Sequence, residues 1–249
     1  MKKILVIGAS GGIGRVVAKY FIDLGYVVFG TNFKNDFPDF LKNMDNFKAN
    51  NLDLAKEDSI AELYHDLDEL EAIVNCAGVI EFEAYNDPSE NLKIMERTMS
   101  VNFHGSYLVF ELLRSKIREN GSYIMMSSTD ANFGGRVNTA YATSKAGVNS
   151  LTKSLALQFQ DSMIRVNTIA PGWVETAMME AGGDKLAEYA RSINPLLRNG
   201  EPQDVADLVE FLISDKSSYI NGQVITLDGG YTLQDPTLAF EEEQIAMKA

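Results

Sequence analysis

Residues 4–14 read Ile4-Leu5-Val6-Ile7-Gly8-Ala9-Ser10-Gly11-Gly12-Ile13-Gly14. Four aliphatic residues in a row predict a buried strand, Ile4–Ile7. The apolar spacing from Ile13 to Leu24 predicts a helix, with Gly25 as its stop. Between them stand four glycines in seven residues. Glycine permits a tight strand-to-helix turn and lets backbone N–H groups come close to a bound group. A helix N-terminus placed there attracts anions, so Gly8, Ser10, Gly11, Gly12, Ile13 and Gly14 are candidates to cradle a pyrophosphate. The spacing is Gly-x3-Gly-x-Gly, which departs from the generic dinucleotide fingerprint Gly-x-Gly-x-x-Gly.

Working outward, strands and helices alternate along the 249 residues. Further strands are predicted at Val27–Thr31, Phe47–Asn50, Ala72–Cys76, Ser122–Ser127, Ile164–Ile169 and Gln223–Leu227. Further helices are predicted at Ile60–Leu70, Asn91–Arg118, Thr139–Phe159 and Asp204–Ser214. Such alternation makes βαβ units and a parallel sheet with helices on both faces. The expected architecture is a three-layer, doubly wound α/β fold with a seven-stranded parallel sheet. Residues 1–233 are expected to form a single domain, followed by a tail, 234–249, made acidic by Glu241-Glu242-Glu243.

Composition narrows the function. The chain carries 22 Lys plus Arg against 35 Asp plus Glu, a formal charge of −13. That balance disfavours phosphate backbones and anionic lipid, so neither nucleic acid nor membrane is an expected partner. With Cys76 as the one cysteine, an internal disulfide is impossible. His65 and His104 have no metal-ligand spacing, and no metal is expected. No apolar run reaches the roughly 18 residues of a membrane span. The apolar run after Lys2-Lys3 stops at Gly8, too short for an export signal, so a cytoplasmic protein is expected.

Tyr141 and Lys145 lie four apart on a predicted helix and so share one face. A free phenol titrates near ~10, and an adjacent ammonium is expected to pull it toward neutrality for acid–base work. Ser127 and Ser128 end the fifth strand and point to opposite faces. Asn102 stands inside a predicted helix, where asparagine costs helix propensity and needs a reason. His104 is expected to pack or cap. Together, the glycine turn, Asn75-Cys76-Ala77-Gly78, Tyr141-Ala142-Thr143-Ser144-Lys145 and Pro171-Gly172 resemble the short-chain dehydrogenase/reductase family, over residues 3–233.

The resemblance implies a Rossmann-type fold and hydride exchange between a nicotinamide and a carbonyl/secondary alcohol pair. It implies a catalytic set of Asn102, Ser128, Tyr141 and Lys145, with Asn102 holding a water that bridges to the lysine. It places Pro171, Gly172, Val174 and Thr176 against the nicotinamide, with Tyr141 and Lys145 also touching the cofactor. It places Asp53 and Leu54 at the adenine, and Asn75, Ala77 and Gly78 at the adenosine ribose. NAD-preferring relatives carry an acid where this chain has Asn32. Its absence, with Lys34 and Arg15 nearby, favours NADP over NAD, although Gly11 replaces a basic residue common in NADPH users. Residues 177–198 correspond to a substrate lid, where Met178, Met179 and Leu186 are candidates for either a channel wall or a core.

The C-terminal third is similar to 3-oxoacyl-acyl-carrier-protein reductases, which makes a 3-oxoacyl thioester the expected substrate, with a carrier protein as its bearer. Arg136, Arg191 and Arg198 are the candidate docking cations. The alternative is a sugar, polyol or other alcohol dehydrogenase, and a remote one is a cofactor-sensing protein without catalysis. Relatives pair helices corresponding to Asn91–Arg118 and Thr139–Phe159, which implies a homodimer or homotetramer.

Overall fold

The computed structural model describes residues 1–84, 86–180 and 182–233; the expected tail, 234–249, lies outside the described residues. Seven strands make one sheet: β1 (Lys3–Ile7), β2 (Val27–Asn32), β3 (Phe47–Asn51), β4 (Leu70–Asn75), β5 (Ile117–Met126), β6 (Arg165–Pro171) and β7 (Val224–Leu227). Their order is β3-β2-β1-β4-β5-β6-β7, and every pairing is parallel. The helices are α1 (Gly12–Asp23), α2 (Asp39–Lys42), α3 (Glu57–Asp66), α4 (Pro88–Met99), α5 (Gly105–Leu113), α6 (Thr139–Gln158), α7 (Ala177–Glu180), α8 (Asp184–Ser192) and α9 (Pro202–Ile213).

The period of two in a strand builds two cores from one sheet. Leu5, Ile7, Phe29 and Ile73 face one layer, with Val109 and Phe110 of α5 and Leu155 of α6. Ile4, Val6, Val28 and Val74 face the other, with Val17 and Phe21 of α1 and Val209 of α9. Strands buried on both faces read as continuous apolar runs, which is why β1 was legible. Among the described residues, no helix is long and apolar enough to cross a membrane.

Two predicted helices overrun their true ends. The helix expected at Ile60–Leu70 is α3, which stops at Asp66. The helix expected at Asn91–Arg118 is α4, then a π turn at Ser100–His104, then α5, then a short 3-10 turn at Arg114–Lys116. The overruns share a cause: Leu70 and Ile117, each at helical spacing from its neighbours, pair with each other at the start of β4 and β5. Tertiary pairing overrides the local period there.

The chain leaves β1 on one side of the sheet and β4 on the other. The crevice outside the carboxyl ends of two such neighbouring strands is where ligands bind in doubly wound sheets.

Candidate active site

The glycine turn closes that crevice from one side. Gly8 has φ +77°, and a Cβ on it would come within 3.0 Å of the Ala77 backbone. The Gly11 N–H donates to the Gly8 carbonyl at 2.9 Å. Helix α1 then starts with no side-chain cap, which leaves its positive end open to an anion. Gly14 serves packing instead. A Cβ there would collide with the Gly8 carbonyl, so this glycine lets the helix rest on its own turn. Thr31, which sequence reading missed, fastens the turn to β2. The Gly8 N–H donates to its hydroxyl at 3.2 Å, and the Ala9 N–H to its carbonyl at 2.8 Å.

Beside the turn lies a cavity of about 470 Å³. Gly8, Ser10, Gly11, Asn32, Lys34, Asp53, Leu54, Ala77 and Gly78 line it. Asn75 does not reach it. That side chain is buried beneath, with Nδ2 donating to the Ser106 hydroxyl at 3.1 Å and Oδ1 accepting from the Ala77 N–H at 3.2 Å. Asn32 donates from its amide to the Asn35 carbonyl at 2.9 Å. Arg15 is exposed and does not line the cavity. Glu81 and Arg97 do line it, and sequence reading missed them. Arg97 grips both Glu81 oxygens, at 3.1 and 2.6 Å, and this holds the Glu81 carboxyl below its usual range. A narrow groove with an open helix N-terminus and a glycine wall fits an extended phosphate-bearing dinucleotide.

Cys76 and Gly78 are shared with a second cavity, of about 330 Å³. Ser128, Tyr141, Ile13, Pro171, Gly172, Val174 and Thr176 line this one, together with Asp130 and Asn138. Ile80, Phe82, Trp173, Met178, Met179 and Leu186 supply apolar wall. The two readings of the lid residues are thus both partly met: Met179 is buried and still faces the cavity, while Met178 is half exposed. Thr176 packs close to the turn, since a Cβ on Gly12 would meet its side chain at 2.7 Å.

Helix α6 carries Tyr141 and Lys145. Lys145 is buried, donates from Nζ to the Met126 carbonyl at 2.8 Å, and lies 5.6 Å from the Tyr141 ring centroid. Ser127 and Ser128 diverge. The Ser127 hydroxyl donates to the Lys145 carbonyl at 3.1 Å, whereas the Ser128 oxygen accepts from the Asp130 N–H at 3.1 Å and stands beside the Tyr141 phenol. The π turn explains the mid-helix asparagine. It sits Asn102 in the interior, where Oδ1 accepts from the Val79 N–H at 2.8 Å. Its Nδ2 donates to the Val79 carbonyl at 2.9 Å and the Ser144 hydroxyl at 3.0 Å. His104 is exposed and makes no side-chain cap, contrary to expectation.

The electrostatics also depart from the sequence expectation. Burial pushes Tyr141 up to about 12, the neighbouring Ser128 opposes this, and the Asp130 carboxylate adds to it. Lys145 does not lower it. Burial instead brings the lysine down to about 8. Desolvation penalises both charged forms, and the ammonium is turned to Met126. Asp130 is itself raised by burial, with Asn138 Nδ2 donating to it at 2.9 Å. Of the expected docking cations, Arg198 binds Asp204 at 2.6 Å and Arg191 lies 3.8 Å from Glu175. Arg136 makes no ion pair among the described residues. No group of three or more metal-ligating side chains occurs among the described residues.

With this geometry in place, the relatives can be compared. The family model described as enoyl-(acyl carrier protein) reductase matches residues 8–232. The 3-oxoacyl-[acyl-carrier-protein] reductase FabG of Thermotoga maritima is 32% identical over 243 residues, covering 93% of this chain and 98% of that protein. An NAD-dependent glycerol dehydrogenase of Listeria innocua is 31% identical and covers 94% of both chains. Among solved structures, a 4-hydroxyisoleucine dehydrogenase complexed with NADH superposes with a TM-score of 0.84 at 28% identity, covering 94% of this chain and 100% of that one.

Proposed function

Because the chain belongs to the short-chain dehydrogenase/reductase family and is an NAD(P)-dependent oxidoreductase acting on a CH–OH/C=O pair, we propose that it works chiefly as a carbonyl reductase, with NADPH preferred. The observation that carries this reading is that the Tyr141 phenol and Ser128 line one cavity, which meets the glycine-turn cavity at Cys76 and Gly78. The phenol is protonated at neutral pH, as the acid of a reduction must be, while burial by itself makes it a weaker donor than one tuned to the working pH. The nicotinamide, when bound, supplies or accepts the hydride. Tyr141 protonates the carbonyl oxygen, and Ser128 donates a hydrogen bond that stabilises its developing negative charge. Lys145 holds the cofactor beside Tyr141, and Asn102 keeps Val79 and Ser144 in place around them. Gly8, Ser10, Gly11, Gly12 and Ile13 receive the pyrophosphate. Asp53, Leu54, Ala77 and Gly78 receive the adenosine, while Pro171, Gly172, Val174 and Thr176 face the nicotinamide. Lys34, beside an uncharged Asn32, suits a 2′-phosphate.

The proposed substrate is a 3-oxoacyl thioester. The apolar wall of Ile80, Phe82, Met178 and Leu186 suits an acyl chain, and the FabG relatives act on that class. Two of the three candidate docking arginines are engaged within the chain, so a carrier protein would rest on Arg136, and a coenzyme A thioester would need none of them. A second reading, a sugar or polyol, is favoured by the Asp130 carboxylate in the same cavity. Residues 1–233 act as one catalytic domain in this scheme, and the outward faces of α5 and α6 serve a dimer or tetramer. The test is a panel of acetoacetyl thioesters, sugars, polyols and simple alcohols with both cofactors. Thioester reduction with NADPH, lost in Tyr141→Phe with cofactor binding retained, is the expected result. Turnover of sugars or polyols alone would replace the substrate, and an active Tyr141→Phe would remove the acid.

A further inference from the structure

Helix α6 is capped from a distance. Asn138 occupies its N-cap position, but its Oδ1 accepts no cap bond, and its Nδ2 donates to Asp130. The first two backbone N–H groups of the helix, Thr139 and Ala140, donate instead to the two carboxylate oxygens of Glu83, at 2.8 and 2.7 Å. Glu83 lies 56 residues before Thr139, in the loop between β4 and α4. Its own N–H donates to the Val137 carbonyl at 2.9 Å. Three hydrogen bonds therefore staple the loop after β4 to the entry of α6.

The two stapled segments both serve the second cavity. On one side of Glu83, Ile80 and Phe82 form its wall. On the other, Tyr141 follows Ala140 directly and lies in the first turn of the helix. First turns fray when their orphan N–H groups lack partners, and a carboxylate also complements the positive helix end. Lys145 sits one turn deeper, buried and tied to Met126, so its place does not depend on the cap.

We propose that Glu83 is the positioning residue for Tyr141: it fixes the first turn of α6 and joins it to the substrate-facing wall at Ile80 and Phe82. This rests on Tyr141 being the proton donor. A displacement of about 1 Å at a reacting group can cost ~100-fold in rate, so the staple carries catalytic weight without touching substrate.

The test uses Glu83→Ala and Glu83→Gln in the full chain, alone and combined with Tyr141→Phe. Glu83→Ala is expected to lower kcat about 10- to 100-fold. Cofactor Kd, read by nicotinamide fluorescence, is expected to stay within about twofold, because Lys145 keeps its anchor. Glu83→Gln keeps one good acceptor and should recover part of the lost kcat. On the residual rate of Tyr141→Phe, Glu83→Ala should add little, since both act through one group. An unchanged kcat in Glu83→Ala overturns the proposal. So does a Glu83→Gln as impaired as the alanine variant, or a parallel loss of kcat, cofactor binding and thermal midpoint, which marks a general structural role. An active Tyr141→Phe would instead indict the reading of Tyr141 itself.

Discussion

Asp130 stands two residues after Ser128, on the wall of the cavity that Tyr141 faces, and makes no ion pair among the described residues. Burial raises its pKa, and the Asn138 bond offsets only part of that. The folded chain therefore binds this proton more tightly than the unfolded chain. Its effect is absent well below the unfolded carboxyl range and becomes destabilising as pH rises through the interval up to the folded pKa. Asp130→Asn keeps the Asn138 bond and removes the charge. Its thermal midpoint should match the parent at about pH 3 and exceed it at about pH 7. If the carboxylate serves a hydroxylated substrate, polyol turnover should fall in this variant while thioester reduction holds. A variant less stable than the parent at neutral pH would refute the electrostatic account. None of this was legible in the sequence. Asp130 had no motif to mark it, whereas Tyr141 and Lys145 were singled out by their spacing together with the other segments that carry the family resemblance.

At the scale of elements, the π turn at Ser100–His104 separates what could be read from what could not. Apolar periodicity marked one long helix from Asn91 to Arg118, and a helical path does run through most of it. One turn with i→i+5 bonding leaves no mark on that pattern, yet such turns gather at functional sites. The mid-helix asparagine was the one hint, since Asn102 costs propensity and must be compensated. Its compensation is both the N–H and the carbonyl of Val79 and the Ser144 hydroxyl. Asn102→Ala would leave buried polar groups unpaired, at about 1–3 kcal/mol for such a group. We expect urea unfolding of this variant to show a loss of at least that size, with kcat reduced as the Val79 loop loosens. A loss below about 0.5 kcal/mol would mean the turn is held by packing instead.

Across the whole molecule, alternation of strand and helix sufficed to foresee the layers and the parallel sheet, because the central strands are buried on both faces, while the edge strands β3 and β7 are partly exposed. The cofactor groove follows from that strand order. The global charge works against the groove. A chain of −13 must draw in an anionic dinucleotide, and in the proposed scheme the uncapped helix end and Lys34, which lines the cavity, do so. The long-range field and the local contacts respond differently to salt. The field acts over the Debye length, which shrinks from about 30 Å at 0.01 M to about 10 Å at 0.1 M. Raising salt across that range should therefore speed the association of both NADH and NADPH by screening the repulsion. The proposed contact at Lys34 would act at short range and only on a 2′-phosphate. Salt should thus speed the dissociation of NADPH more than that of NADH, and Lys34→Ala should narrow the affinity gap between them about two- to fivefold, the worth of one exposed ion pair. Stopped-flow fluorescence separates the two rates. Association that slows with salt would mean that the local cations steer the cofactor from afar, and an unchanged gap in Lys34→Ala would move the 2′-phosphate contact elsewhere.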